Sequence, residues 1–171
     1  MHLLVRSLTA IDAASYQSLR LQALRDSPAS FSASHDDEAG RSLAEIEARV
    51  TPAADGSVCM FGAFADESLV GFVAFIRPQR TKLAHSAELA GMYVDEAFRR
   101  RGIGGRLVEA LVAHARAIGG VRQLKLGVVR TNAAARSLYA AAGFKSFGVE
   151  PDALCVDGEL LDEERFILRL A

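Results

Sequence analysis

The stretch richest in chemical intent is Arg99-Arg100-Arg101-Gly102-Ile103-Gly104-Gly105, wedged between an apolar run and an amphipathic helical pattern. It breaks local rules. Glycines 102, 104 and 105 sit in or beside a first helical turn, where each costs about 0.8–1 kcal/mol relative to alanine once helical. Three arginines crowd the positive end of the helix dipole, where carboxylates are preferred. Such conflicts concentrate at functional sites, and a bound polyphosphate resolves them all. Backbone lacking side chains lets the anion approach, unpaired N–H groups point at it, and guanidinium groups neutralise it. A side chain at Gly104 would then fill the cradle. For Arg99, Arg100, Arg101 and Arg106 the alternative is a solvated basic turn. A nucleic-acid patch fits less well, since the cluster is short and lacks interleaved aromatics.

Two common phosphate loops are excluded by spacing. Gly-x-x-x-x-Gly-Lys-Ser/Thr is absent. The dinucleotide fingerprint needs a third glycine where Leu107 stands. It also follows its strand directly, whereas Asp95 to Arg101 separate Val94 from Gly102. A second group of residues lies further along. Asn132 is a good helix N-cap, and Tyr139 falls on the apolar stripe of Ala135, Leu138 and Ala142. A buried phenol there needs a partner for its hydroxyl. Cys59 and Cys155 are far apart, form no Cys-x-x-Cys and have no adjacent histidine signature. Both read as structural, and no metal site is expected.

The elements that must position these groups follow from periodicity. A strand at 3–8 opens the chain, Asp12 caps a helix to about Arg25, and Asp26-Ser27-Pro28 ends it. A second helix spans about 42–50. Strands at 58–65 and 69–76 form a hairpin, and 86–94 is a buried strand in which Gly91 marks a bulge or close packing. A helix at 103–118, a strand at 124–129, a helix at 132–142 and a strand at 144–149 follow. Asp157-Gly158 is a two-residue hairpin signal, and 165–170 makes a closing strand.

This order predicts an α/β fold: a six- to seven-stranded mixed sheet flanked by about four helices. With 171 residues, half of them hydrophobic, the chain suits one domain (1–171) with a sizeable core. A net charge of −1 gives no field drawing it to nucleic acid or membrane. Without a spanning apolar run, a leader pattern or cysteine pairing, the expected location is cytoplasmic.

Arg99-x-x-Gly102-x-Gly104 resembles the acetyl-CoA pyrophosphate loop of the GNAT N-acetyltransferase superfamily. Asn132 to Phe144 is similar to that family's Asn-x-x-Ala-x-x-Leu-Tyr-x-x-x-Gly-Phe pattern, one helix and one strand later. The segment from Leu19 to Phe31 looks like the first-helix region that borders the family's acceptor site. The resemblance implies a sheet whose central strands splay. It assigns acetyl-CoA, or coenzyme A, to Met92, Val94, Arg99, Arg100, Arg101, Gly102, Ile103, Gly104, Gly105, Asn132 and Tyr139. Met92 and Val94 would pair through their backbone with the pantetheine amides, and Asn132 would touch the coenzyme arm near the thioester. Tyr139 would protonate the departing thiolate.

For the base that takes the amine proton, Glu88 is the leading candidate. It stands four residues before Met92, which places both on one side of the pleat. In some members a glutamate on this strand acts through water. In others the glutamate lies on the next strand, where this chain has Gly127. His85 is a reserve.

The implied activity is acetyl transfer to a primary amine of a small molecule or peptide by direct attack in a ternary complex. The alternative is a coenzyme A-binding module that senses without catalysis. Between Glu150 and Glu164 lie seven acidic residues and no Lys or Arg. They would favour a cationic acceptor if they line its entrance, and a solvated hairpin explains them equally. No nucleic acid or membrane partner is expected, and a homodimer is left open.

Overall fold

The structure, a computed structural model, describes residues 2–170. Its elements in chain order are β1 (Leu3–Ser7), α1 (Ala13–Asp26), α2 (His35–Ala39), α3 (Leu43–Val50), β2 (Val58–Ala65), β3 (Ser68–Ile76) and β4 (Ser86–Val94). There follow α4 (Ile103–Ala117), β5 (Gln123–Val129), α5 (Ala133–Ala141), β6 (Lys145–Val156) and β7 (Glu159–Arg169). The strands form one mixed sheet in the order β1-β2-β3-β4-β5-β7-β6, in which β4 and β5 are the parallel pair.

Helices cover both faces. Ile103, Leu107, Val108, Leu111 and Ala115 of α4 are buried with Tyr139 of α5 against one face, alongside Val73, Phe75, Leu89 and Leu124. On the other face, Tyr16, Leu19, Ala23 and Leu24 of α1 and Ile46 and Val50 of α3 pack on Met60, Phe72, Ala74 and Tyr93. Burying apolar helix stripes on both sides is what makes the sheet the middle layer.

Two features differ from the sequence expectation. Helix α2 was hidden in a polar stretch because its buried residue is Glu38. Its signal was the capping box, with Asp37 N–H donating to Ser34 Oγ and Ser34 N–H to Asp37. At the other end, the expected short strands merge into the β6–β7 hairpin, bent where its register shifts between Glu150 and Leu154 around Pro151. Its turn is Asp157-Gly158, with φ of 50° and 83°, as the dipeptide implied.

The start of α1 is pinned by Asp12, which is 6% exposed. Its carboxylate accepts from both terminal nitrogens of Arg6 at 2.8 Å and from Thr9 N–H at 2.9 Å. The Arg6 hydrogen bonds hold this carboxyl below its ordinary value against the opposing effect of burial. A depressed carboxyl contributes stability that is present above its unfolded value and lost as pH falls through the folded one. Asp12→Ala is therefore expected to cost about 2 kcal/mol at neutral pH. In urea titrations the gap to the parent should narrow as pH drops below about 4. A gap constant from neutral pH to pH 3 would show that the ion pair contributes nothing.

Candidate active site

Strands β4 and β5 pair only at one end, Ser86–Glu88 against Gln123–Lys125. Beyond this, β4 stays on β3 through Val94 and β5 stays on β7 through Val129. Each is held by its outer neighbour, so the two diverge and a gap opens in the sheet. The expected splay is present.

Two cavities meet at this gap. A larger one of about 550 Å³ lies on the α1–α3 side, and a smaller one of about 90 Å³ reaches Met92, Asn132 and Tyr139. They share Ser30, Leu89, Ala90, Gly91, Leu126, Gly127 and Glu163. A connected path thus runs through the sheet.

Gly91 supplies the bulge that its position suggested. Its φ is +56°, a left-handed conformation that glycine adopts without a Cβ penalty. The β3–β4 register shifts here. That extra residue has a consequence for chemistry. Met92 joins the α4 side of the sheet, whereas Glu88 lines the large cavity with Tyr16 and Phe72. The two therefore lie on opposite faces, and simple alternation, which put them together, is corrected by the bulge.

The arginine-glycine segment forms the start of α4 without any side-chain cap. Arg106 N–H is the first to bond within the helix, to Gly102 O at 3.2 Å. The N–H groups of Ile103, Gly104 and Gly105 precede it and lie outside the ladder. Gly102 has φ +76° and Arg100 φ +62°. The left-handed arginine costs about 1–2 kcal/mol, strain of the kind found at ligand-holding turns.

A Cβ added to Gly102 or Gly105 would meet nothing within 4 Å. One on Gly104 would stand 3.0 Å from Met92 Cε and 3.1 Å from Leu138 Cδ2. Gly104 therefore faces packed side chains rather than the cradle, which corrects the expectation for that position. The open cradle is built by Gly102 and Gly105, and it has the backbone access a diphosphate requires.

The arginines divide. Arg99 donates to Val94 O at 3.0 Å and pairs with Glu96 at 3.1 Å, so it braces the loop and engages the Val94 carbonyl. Arg101 donates to Ala97 O at 3.3 Å and lies over the Phe98 ring. Arg100 and Arg106 are exposed beside the cradle. None of residues 99–105 lines the two cavities. Met92 links the regions, touching the Gly104 position on one side and accepting from Tyr139 Oη at 3.3 Å on the other.

Tyr139 is 6% exposed, and burial raises its phenol well above the ordinary value. It therefore stays protonated, with its hydroxyl hydrogen directed to Met92 Sδ on the wall of the small cavity. Asn132 caps α5, its side-chain oxygen accepting from Ala135 N–H at 3.1 Å, and it also lines that cavity. His85 lines neither cavity; its carbonyl accepts from Arg122 N–H at 2.7 Å where β4 and β5 begin. Cys59 is buried beside Ser7 Oγ, with its thiol raised by burial, and Cys155 is exposed on β6. Among the described residues no group of three or more His, Cys, Asp or Glu is placed to hold a metal ion.

Glu163 is a site residue that sequence reasoning did not single out. It lines both cavities. A Cβ on Gly127 would stand 2.6 Å from Glu163 Oε2 and 2.7 Å from Arg165 Nη1. The space that a side chain at position 127 would occupy is filled by a carboxylate delivered from β7. Glu163 is 21% exposed and pairs with Arg165 at 3.6 Å. Glu88 is 53% exposed, with Arg165 4.0 Å away. The other acidic residues of the hairpin point elsewhere. Glu164 pairs with Arg136 and Asp162 with Arg130, while Glu150, Asp152, Asp157 and Glu159 are exposed. Only Glu163 of the seven lines the described cavities.

Comparison with known proteins agrees with this geometry. The sequence model of the acetyltransferase (GNAT) family matches residues 17–144. A GNAT-family acetyltransferase from Streptococcus pneumoniae superposes with a TM-score of 0.85 at 22% identity, over 99% of this chain and 100% of the other. A phosphinothricin acetyltransferase from Sinorhizobium meliloti, solved with acetyl-CoA, gives 0.84 at 22%, over 100% and 90%. A ribosomal-protein-alanine N-acetyltransferase from Brucella melitensis gives 0.81 at 24%, over 98% and 99%.

Proposed function

Because the chain belongs to the acetyltransferase (GNAT) family, and is an acetyl-CoA-dependent acyltransferase, we propose that it acetylates a primary amine. The acceptor is a small molecule or peptide, attacking directly in a ternary complex within one catalytic domain. The observation that carries this reading is the gap between β4 and β5, which joins a donor-side cavity bearing Tyr139 to an acceptor-side cavity bearing Glu163 and Glu88.

When bound, acetyl-CoA supplies an activated thioester. The residues present fit it. The uncapped amides at Ile103, Gly104 and Gly105 and the charges of Arg100 and Arg106 hold the diphosphate. Beside the gap, the backbone of Met92 and the Val94 N–H would take the amides of the arm, with Asn132 alongside, while the Val94 carbonyl is engaged by Arg99. Tyr139 Oη–H, which rests on Met92 Sδ, would turn to donate to the thioester sulfur. Glu163 accepts the ammonium proton, with Glu88 a second acceptor through water. Arg165 lies between these carboxylates, 3.6 Å from Glu163 and 4.0 Å from Glu88. Cys59 and Cys155 stay outside the chemistry.

An open acceptor cavity of about 550 Å³ favours an enzyme over a coenzyme A sensor, which needs none. The acceptors named for the similar structures differ from one another, so the fold leaves the substrate to the pocket. No helix among the described residues is long and apolar enough to cross a membrane. The test is calorimetry with acetyl-CoA, coenzyme A and ATP, followed by an amine screen with thiol detection. Acetyl-CoA binding with acceptor-dependent thiol release is expected. Preference for ATP, or tight coenzyme A binding with no turnover on any amine, would refute the reading.

Tyr139→Phe provides a narrower check. A thiol ionises near ~8.5, below the raised phenol, so Tyr139 stabilises the departing sulfur mainly by hydrogen bonding. The expected loss in kcat is about 10- to 100-fold, with the KM for acetyl-CoA within roughly twofold of the parent. An unchanged kcat would remove the phenol from the reaction.

A further inference from the structure

The large cavity has two electrostatic poles. At one end Arg20 of α1 and Arg49 of α3 line it together with Glu38 of α2. Glu38, 3% exposed, accepts from Arg49 at 2.7 Å and from Arg41 at 2.9 Å, while Arg20 Nη2 stands 3.9 Å away. Three guanidinium groups thus share one carboxylate. Burial alone would raise the Glu38 carboxyl, but the Arg49 hydrogen bond and the three cationic charges outweigh it and hold it ionised. Glu45 also stands 3.9 Å from Arg41 Nη1, so three guanidinium groups face two carboxylates and the cluster keeps an excess of one positive charge.

Arg20 is the least satisfied member. Its side chain is 11% exposed, it stacks on the Phe31 ring at 4.6 Å, and its Nε is buried without a hydrogen-bond partner. A buried guanidinium beyond hydrogen-bond reach of its nearest carboxylate is left poorly compensated for its lost hydration. An arginine cannot shed its proton to escape this. Its Nη1 lies 3.7 Å from where a Cβ on Gly91 would sit, so its charged end reaches the bulge where the two cavities meet. The second charged group of the lining is Glu163 and Glu88 with Arg165 between them, an excess of one negative charge.

We infer that the acceptor is an amino acid, bound with its ammonium group at the Glu163–Glu88 pole and its carboxylate on Arg20 and Arg49. This rests on the acetyltransferase reading and narrows its substrate class. A planar guanidinium takes a carboxylate oxygen pair side by side. The cavity, about 550 Å³, has the size of a small-molecule site. The acidic hairpin, which alone suggested a cationic acceptor, contributes only Glu163 to the described cavities. A purely cationic acceptor would bring its second charge against Arg20, so like-charge repulsion disfavours it.

The experiment compares free amino acids with their carboxamides, their decarboxylated amines and the matching aminophosphonates. Two readouts are used: thiol release with acetyl-CoA, and calorimetric binding of each compound to the protein without it. For at least one amino acid, kcat/KM is expected to exceed that of its carboxamide and decarboxylated amine by tenfold or more. Arg20→Gln should raise the KM for that acid about 10- to 100-fold, while the KM for acetyl-CoA and for the carboxamide stays put. Aminophosphonates outrunning carboxylates would overturn the carboxylate assignment, and so would carboxamides turned over as well as acids. Thiol release only with polyamines would do the same. If nothing is turned over, acetyl transfer to amines fails. The binding arm still decides this inference: Arg20-dependent binding of an amino acid upholds it, and no binding overturns it. The comparison in the unaltered protein stands whether or not the variant folds.

Discussion

Gly105→Glu is expected to make the free protein more stable while abolishing its affinity for acetyl-CoA. The two effects have separate causes. Replacing a first-turn glycine by a good helix former recovers about 0.8–1 kcal/mol. A carboxylate near the helix N-terminus adds roughly 0.3–1 kcal/mol. Nothing lies within 4 Å of the new Cβ, so packing does not oppose the gain. Arg100 and Arg106 are also close in sequence to receive the charge.

That same carboxylate would stand beside the Ile103, Gly104 and Gly105 amides, where it repels a diphosphate and blocks it sterically. An affinity loss above about 100-fold is expected in calorimetry, because several charge-assisted hydrogen bonds go together. The melting temperature of the apoprotein should rise. Gly104→Ala is the control that separates cradle from packing: its methyl would press on Met92 and Leu138, which must shift by a few tenths of an ångström. Undiminished affinity in Gly105→Glu would remove the diphosphate from this helix end.

The second large effect is expected at Glu163. Glu163→Gln keeps the shape over Gly127 and removes the proton acceptor, so kcat/KM should fall about 10²- to 10³-fold near neutral pH. The pH dependence follows from the acceptor. A lysine-like amine ionises near ~10.4, and without a base only the fraction already neutral reacts. The variant's activity should therefore climb with pH, its optimum should move upward, and the deficit should shrink as pH approaches about 10. Glu88→Gln should show the same direction with a smaller loss, since Glu88 is the more exposed of the two and lines only the larger cavity. If Glu88→Gln carries the large effect and Glu163→Gln does not, the assignment moves to β4. Parent-like pH profiles in both would leave no carboxylate base.

These two sites differ in how far the sequence exposed them. The cradle is local. Its glycines, arginines and helix start lie within seven consecutive residues, and their conflict with helix propensity is visible in one dimension. Even there a local reading erred at Gly104, because only packing shows that its missing side chain leaves room for Met92 and Leu138 rather than for a ligand. Likewise, Glu88 and Met92 are separated by the bulge at Gly91. The glycine was legible, but its effect on which face each later residue takes depends on how β3 stays in register.

Periodicity, caps and turn dipeptides determined the strand order, every long helix, the hairpin turn at Asp157-Gly158 and the glycine-rich start of α4, because each depends on residues within one or two turns of chain. Tertiary structure decided the rest. β7 inserts between β5 and β6, so Glu163 arrives over Gly127 from a strand three elements later. Arg20, Glu38 and Arg49 meet from three separate helices. Electrostatic partnership acts through space, and chain order carries no record of it until the sheet has fixed which distant segments become neighbours.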